Sequence, residues 1–448
     1  MGQSYDLVIV GTGSAAQGVA MRVRAAGWCV AVIDFRPFGG TCALRGCDPK
    51  KVLVGAAESI DFISRLQGHG VTGACSINWS ELMAFKRTFT DPVPDVNKRR
   101  YAEKGIDTFT GKARFTGHNL LEVNGETLES RYFLVAAGAE PVKLGIPGEQ
   151  YLVDNEDFLS LEKLPSRIVM VGGGYIASEF SHIAARAGAQ VTILQRGPRI
   201  LPQFDPALVD LLVERFVTLG IAVHTNAKVE TIEQSGDGFL VRASTQGDDL
   251  TISADLVVHA AGRAPALHEL NLDAAGVEVE NGRMRLNDFL QSVSNPAIYA
   301  AGDAAQVGPP LTPVASQDAK VVAANLLEGN VHKPDYTGVP SVAFTLPPIA
   351  RVGLSEAAAS AQGLKFRVKS ENASGWYTAR RVAEPVYGFK TLVEDQTGRI
   401  LGAHLVGPHA DEVINVIAFA MRNGLNAKSL QSMIFAYPTS ASDLSYMF

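Results

Sequence analysis

The chain has 448 residues, 46% of them hydrophobic and 19% charged, a length that exceeds one hydrophobic core and points to several globular domains. A formal net charge of −6 with no basic block argues against nucleic acid or an anionic membrane as partner. No apolar run reaches the length of a membrane span. The N-terminal "MGQSYDLVIVGTG" lacks the basic leader and cleavage site of a signal peptide, and four cysteines are too few for an extracellular disulfide framework, so a cytoplasmic location is expected.

Residues 5–35 read as strand, glycine turn, helix, strand, with a buried parallel strand over Leu7 to Val10 and Asp34 closing the second strand. Residues 52–105 read as mainly helical with a break at "DPVPD" (91–95), and residues 106–137 as short alternating strands. At 167–196 the strand–glycine turn–helix–strand pattern repeats, which marks a duplicated supersecondary unit. "ADLVVHAAGRAP" adds a third apolar strand to that second unit, and "NPAIYAAGDAA" (295–305) is a buried strand entering Gly-Asp. From about 336 the texture becomes that of a separate α+β domain. The expected fold is α/β: two Rossmann-like three-layer domains, residues 1–140 with 264–335 and residues 141–263, followed by a C-terminal α+β domain over 336–448.

Gly11, Gly13 and Ala16 form G-x-G-x-x-A between strand and helix. The glycines permit a tight turn and close backbone approach to a pyrophosphate, which the helix N-terminus meets with free N–H groups. Asp34 lies at the spacing where a carboxylate takes ribose hydroxyls. Gly172, Gly174 and Ala177 repeat the fingerprint, but Gln195 stands where the acid would be, and Arg196 and Arg199 follow. Those cations suit a 2′-phosphate, so NADPH is favoured over NADH at this second site. Two such sites in one chain suggest a bound flavin dinucleotide and a diffusing nicotinamide dinucleotide.

In "GGTCALRGCDPKK" (39–51), Cys42 and Cys47 lie five residues apart. A zinc site needs about four ligands, and the sequence offers no second pair nearby, so no resident metal is expected. In a straight helix the two Cα atoms would be roughly 8 to 9 Å apart, beyond the roughly 4.4 to 6.8 Å of a disulfide. The backbone must leave regular helix, and Gly46 permits it. A bridge in such a turn would be reducible, and Lys50 and Lys51 would favour a thiolate.

Together these features resemble the flavin-dependent pyridine nucleotide–disulfide oxidoreductases, the family of glutathione reductase, dihydrolipoamide dehydrogenase and mercuric reductase. "GGTCALRGCDPKK", "GYIASE" (174–179) and "LTPVA" (311–315) carry the resemblance, which runs along nearly the whole chain. It implies FAD as bound cofactor, electron flow from NADPH through the flavin to a Cys42–Cys47 disulfide, and a homodimer whose C-terminal domain completes the partner's active site. Cys47 would be the flavin-proximal thiolate and Cys42 the interchange thiol. Lys50 resembles the lysine near the flavin and Glu179 its ion-pair partner. The FAD contacts implied are Gly11, Gly13, Ser14, Ala15, Ala16 and Asp34; then Gly40, Thr41, Gly111, Ala113 and Gly138; then Asp303 and Thr312. For NADPH they are Gly172, Gly174, Tyr175 as an aromatic gate, Ile176, Glu179, Arg196, Arg199 and Gly262.

The C-terminus departs from the pattern. The family carries His-Pro-x-x-x-Glu, whose His is the acid/base for the interchange thiol. Here "AYPTSASD" puts Tyr437 in the His place and Ser442 in the Glu place, with Asp443 one residue late. A phenol with a pKa near 10 is a poor base at neutral pH, so Tyr437 is expected to take the catalytic place of the His by hydrogen-bonding a thiolate or donating a proton. His404 is expected to be structural, a catalytic role for His409 is not favoured, and Cys29 and Cys75 are expected to be packed. Met21 and Lys320 stand where glutathione reductases place arginines, and no cysteine follows Cys75, as a mercuric-reductase tail would require. The expected activity is therefore an FAD-dependent NADPH:disulfide oxidoreductase acting on a small-molecule disulfide other than ordinary glutathione disulfide. The alternatives are a metal-ion, quinone or other small-acceptor reductase, and a flavin-bound redox sensor with weak catalysis.

Overall fold

The computed structural model describes residues 3–448, which divide into two compact units. The first takes the chain up to Lys50, then Phe85–Val142 and Arg263–Tyr336; the second takes Lys51–Ala84, Lys143–Gly262 and Thr337–Phe448.

In the first unit the strands run in the order Asp107–Thr110, Val30–Asp34, Gln3–Val10, Glu126–Val135, Leu120–Val123, Ala113–Gly117, and Ile298–Ala300 also pairs with Glu126–Val135. The strands around Gln3–Val10 are parallel. Leu7, Val8 and Ile9 are fully buried because layers cover both faces of the sheet, which is why this strand reads as a continuous apolar run. Helix Ser14–Ala25 buries Ala15, Ala16, Val19, Ala20 and Val23 in the layer it shares with helix Thr312–Glu328. A Cβ on Gly18 would come within 2.7 Å of the Ala319 Cβ, so that position lets the two helices close on each other.

In the second unit a parallel sheet orders Ala222–Thr225, Gln190–Gln195, Arg167–Val171 and Leu256–His259. A three-stranded antiparallel meander covers Lys228–Ser235, Gly238–Ser244 and Asp249–Ala254. The C-terminal portion is a five-stranded antiparallel sheet, Ser341–Ala343, Ile349–Gly353, Ile400–Val406, Gly388–Glu394, Phe366–Asn372, with helix Ala410–Arg422 packed against it. Among the described residues no helix is long and apolar enough to cross a membrane.

The helical stretch resolves into Cys47–Leu66, Trp79–Thr90 and Val93–Glu103. The break is narrower than "DPVPD" suggests. Helix resumes at Val93 and admits Pro94 at its second position, where an N–H would have no helical partner.

One polar cluster in the second unit stands out in an apolar interior. Asp61 accepts from Arg65 at 2.8 Å, from Arg215 at 2.6 Å and from Arg186, and both Asp61 and Arg186 are at most 5% exposed. Burial pushes the carboxyl up, but Arg186, Arg65 and Arg215 outweigh it and hold it at about 2. His182, fully buried beside Arg186, is held neutral by desolvation. Asp61→Ala would leave buried guanidinium groups without their shared counter-charge and is expected to lower stability by about 3–5 kcal/mol. Because the folded pKa lies below the unfolded value, Asp61's contribution is present above pH ~4 and lost as pH falls toward ~2. Urea unfolding of both proteins at pH 7, and of the wild type down this pH range, checks both. A loss under about 1 kcal/mol would show that the arginines find other partners.

Candidate active site

In the first unit, two glycine loops meet backbone to backbone. Gly11 has φ +107°, and a Cβ there would run into the Ala136 carbonyl oxygen; Gly40 has φ +73°, and its Cβ would strike the Gly13 Cα. Gly13 precedes helix Ser14–Ala25, whose first-turn amides receive no side-chain cap. These N–H groups, backed by the helix dipole, suit a pyrophosphate. Thr41 follows Gly40 in the short helix Gly40–Arg45.

Asp34 is fixed at the end of its strand. It accepts from the Thr12 hydroxyl at 2.6 Å and the Arg36 N–H at 3.0 Å, and Thr12 accepts from the Gly39 N–H at 3.1 Å. The Gly111 N–H reaches the Asp34 carbonyl at 3.0 Å. Ala113 is buried at the start of strand Ala113–Gly117. Gly138 turns with φ +73°, and its carbonyl accepts from Ala266 at 3.0 Å. Asp303 lies in the turn Gly302–Ala304 after strand Ile298–Ala300; burial raises its pKa against the Arg263 charge. Sequence reasoning missed Asp318. It is 1% exposed, accepts from the Gly302 N–H at 2.9 Å and from the Tyr336 hydroxyl at 2.7 Å, and so sets the turn that presents Asp303. Its signal was an acid inside a mostly apolar helical stripe. The close glycine contacts, uncapped helix and held acid fit an adenine dinucleotide.

The second unit repeats this construction. The Gly172 N–H binds the Leu194 carbonyl at 2.8 Å, as Gly11 binds Ile33 at 2.7 Å. Gly172 has φ +108°, with the Ala260 carbonyl where a Cβ would go, and Gly174 starts helix Tyr175–Arg186 without a side-chain cap. Gly262 has φ +121°. Gln195 ends its strand where Asp34 ends its own, and its side chain lies over Gly173. Arg196 is exposed and, among the described residues, forms no ion pair, whereas Arg199 is held by Asp210 through two contacts of 3.0 and 3.1 Å. Tyr175 packs edge-on against Phe204, and burial raises its pKa. Ile176 is half-buried beside it, while buried Glu179 accepts from the Phe344 N–H at 2.8 Å.

The two cysteines sit on either side of a helix break. Helix Gly40–Arg45 ends at Gly46 and helix Cys47–Leu66 begins at once. A Cβ on Gly46 would lie 3.0 Å from the Thr41 carbonyl oxygen, so the break favours the residue found there. Both are free cysteines, and each is the largest influence on the other's titration. The Cys47 sulfur also lies 3.5 Å from the Thr312 hydroxyl, at the head of helix Thr312–Glu328. The Cys42 thiol donates to Asp48 Oδ1 at 3.9 Å, a partner that sequence reasoning did not single out.

These contacts make the thiols unequal. Cys47 is lowered to about 6 chiefly by the neighbouring Cys42 thiol, with help from Thr312 and the Lys50 charge, against burial and Asp48. Its place at a helix N-terminus also favours the thiolate. Cys42 is pushed up by the neighbouring Cys47 and by burial. Cys29 and Cys75 are both exposed, contrary to the expected packing. Cys29 follows the helix-ending turn at the edge of its strand, and Cys75 sits in a loop two residues after Gly73, where neither meets a core face.

At the C-terminus Tyr437 is 79% exposed. Ser442 is used in a capping box with Thr439. Asp443 is buried and accepts from the Tyr387 hydroxyl at 2.7 Å. His404, 1% exposed, donates to the Leu354 carbonyl at 3.1 Å, and burial lowers its pKa. His409 is exposed before helix Ala410–Arg422.

Residues 5–319 match the pyridine nucleotide-disulphide oxidoreductase family, and residues 339–447 match its dimerisation domain. The chain belongs to this family of FAD-dependent enzymes that use NAD(P)H and act on sulfur groups. It is 32% identical to a mercuric reductase from Lysinibacillus sphaericus over 98% of this chain and 81% of that one. It is 30% identical to a glutathione reductase from Burkholderia cepacia over 98% and 97%. The solved copper(II) complex of the HOCl-induced flavoprotein disulfide reductase RclA from Escherichia coli superposes with a TM-score of 0.88 at 28% identity, covering 100% of this chain and 99% of that one.

Alkylation of the reduced protein across pH, read by peptide mass spectrometry, is expected to give Cys47 a midpoint at about 6 while Cys42 stays protonated at neutral pH. Thr312→Val is expected to move the Cys47 midpoint upward. Equal midpoints for both thiols would contradict the asymmetry.

Proposed function

We propose that this protein is an NADPH-preferring disulfide reductase, a cytoplasmic homodimer acting on a small-molecule disulfide other than ordinary glutathione disulfide. The observation that carries this reading is the unequal thiol pair, with a thiolate favoured at Cys47 and a proton held at Cys42. A dithiol in that state has one sulfur to attack a substrate and a second, already charged, to close the ring.

FAD would be held by the Gly11–Ala16 turn, Asp34, Gly40 and Thr41, with Gly111, Ala113, Gly138, Asp303 and Thr312 completing its contacts. When bound it supplies two-electron transfer between the nicotinamide and the Cys42–Cys47 pair. The chain's own part is to bind and orient it with backbone amides, and Lys50 places positive charge near Cys47. NADPH would lie over Gly172, Gly174, Tyr175 and Ile176, with Glu179 and Gly262 lining the same site. The domain roles proposed are FAD binding for 1–140 with 264–335, NADPH binding for 141–263 and dimer formation for 336–448. Tyr437 would hydrogen-bond a sulfur rather than take its proton at neutral pH. Met21 and Lys320, in place of arginines, support a substrate without glutathione's pair of clamped carboxylates.

The solved copper(II) complex of one relative and the names of the mercuric relatives favour a second reading, reduction of a thiophilic metal ion at the same two thiols. An anaerobic NADPH titration followed by absorbance tests the first. A broad long-wavelength band before flavin bleaching, absent in Cys47→Ser, is the expected result. Direct bleaching with no such band, and turnover with metal ions or quinones but no disulfide, would move the assignment to the second.

Coenzyme choice is testable separately. Arg196, which forms no ion pair among the described residues, is the better phosphate ligand, since Arg199 would first have to leave Asp210. Arg196→Ala is expected to raise the KM for NADPH roughly tenfold, with a smaller effect on NADH and a smaller effect from Arg199→Ala. Equal losses with both coenzymes would remove the 2′-phosphate role.

A further inference from the structure

We propose that Asp48 is the proton acceptor for Cys42, a base carried beside the dithiol in place of the one the C-terminal segment lacks. The inference rests on the disulfide-reductase reading. Asp48 stands in the first turn of helix Cys47–Leu66, directly after Cys47, and its Oδ1 accepts the Cys42 thiol at 3.9 Å. That is long for a finished proton transfer but within the range in which catalytic hydrogen bonds tighten when substrate binds.

The groups that act on Cys42 are Cys47, Asp48 and the neutral Thr312 hydroxyl. Cys47 is the other acceptor in reach, but a proton placed there would remove the thiolate needed to close the disulfide. Of the second unit's buried candidates, His404 is spent on Leu354 and Asp443 on Tyr387, while His409 and Tyr437 are exposed. Asp48 is left as the carboxylate in contact with the attacking thiol.

The step balances as follows. The Cys42 proton passes to Asp48 while the sulfur attacks a substrate disulfide, forming the mixed disulfide at Cys42 and breaking the substrate S–S bond. The departing thiolate takes the proton back from Asp48. The Cys47 thiolate then attacks Cys42, forming the Cys42–Cys47 disulfide and releasing the second substrate sulfur as thiolate. The substrate gains two electrons and the dithiol loses two. A carboxylate is a weaker base than imidazole, so the gain belongs at the lower end of the general-base range, about a hundredfold.

Two other roles would leave different traces. An acid that only starts the helix would affect stability and leave the pH behaviour of Cys42 alone. A carboxylate acting only as a fixed charge would disfavour the Cys42 thiolate, so removing it would speed attack. The experiment compares reduced, FAD-loaded wild-type and Asp48→Asn proteins, with Asp48→Glu as the conservative control. Each is mixed with 2-hydroxyethyl disulfide and, separately, with iodoacetamide, Cys42 alkylation being read by peptide mass spectrometry. Asp48→Asn is expected to slow both reactions about a hundredfold at pH 7, with the deficit shrinking as pH rises toward the Cys42 titration and partly restored in Asp48→Glu. Rates in Asp48→Asn equal to or above wild type overturn the proposal, as does a loss that is the same at every pH and follows a drop in Tm. If wild type reduces no disulfide at any pH, the disulfide-reductase reading fails instead. The alkylation comparison then decides Asp48: slower Cys42 labelling in Asp48→Asn supports it, and equal or faster labelling overturns it.

Discussion

The pairing of two thiols sets the chemistry open to this site. The influence of Cys42 and Cys47 on each other is the largest acting on either, lowering one and raising the other. It exists because the chain abandons helix at Gly46 and starts a new one at Cys47. One uninterrupted helix would hold the sulfurs apart and leave two ordinary cysteines. The helix start, the Thr312 hydroxyl and the Lys50 charge then act in the same direction on the sulfur already favoured as thiolate.

The same economy governs the two nucleotide modules. Each uses a glycine with positive φ whose missing Cβ makes room for a carbonyl from a neighbouring strand end, Ala136 in one and Ala260 in the other. Each leaves the next helix without a side-chain cap, an arrangement that suits an anion at its first-turn amides. They diverge at the end of the second strand. Asp34 is pinned by Thr12 and the Arg36 amide, and Gln195 folds over Gly173, followed by Arg196, which forms no ion pair among the described residues. A fixed carboxylate suits ribose hydroxyls, and an unengaged cation suits a phosphate.

The C-terminal segment shows how neighbouring residues can have unrelated employment. Asp443 sits one position from where an orienting acid would stand, yet it is buried against Tyr387, and Ser442 is spent on a helix cap. The segment is anchored by these contacts and leaves Tyr437 exposed. Beside the dithiol itself, Asp48 is the carboxylate that accepts from Cys42.

The sequence by itself determined the elements whose signal is local: both glycine fingerprints, the apolar strands Leu7–Val10 and Arg167–Val171, the α+β texture after 336 and the need for a break between the cysteines. Each follows from backbone sterics or from period, which neighbouring residues suffice to express. Only the tertiary structure decided matters that depend on residues far apart in the chain. It brought Thr312 to Cys47 across 265 positions and used Asp318 to hold the Gly302 turn. It also paired Arg199 with Asp210, gathered three arginines on Asp61 and left Cys29 and Cys75 at the surface. A side chain's charge and availability depend on what burial removes and on which partner arrives, and neither is written in its neighbours.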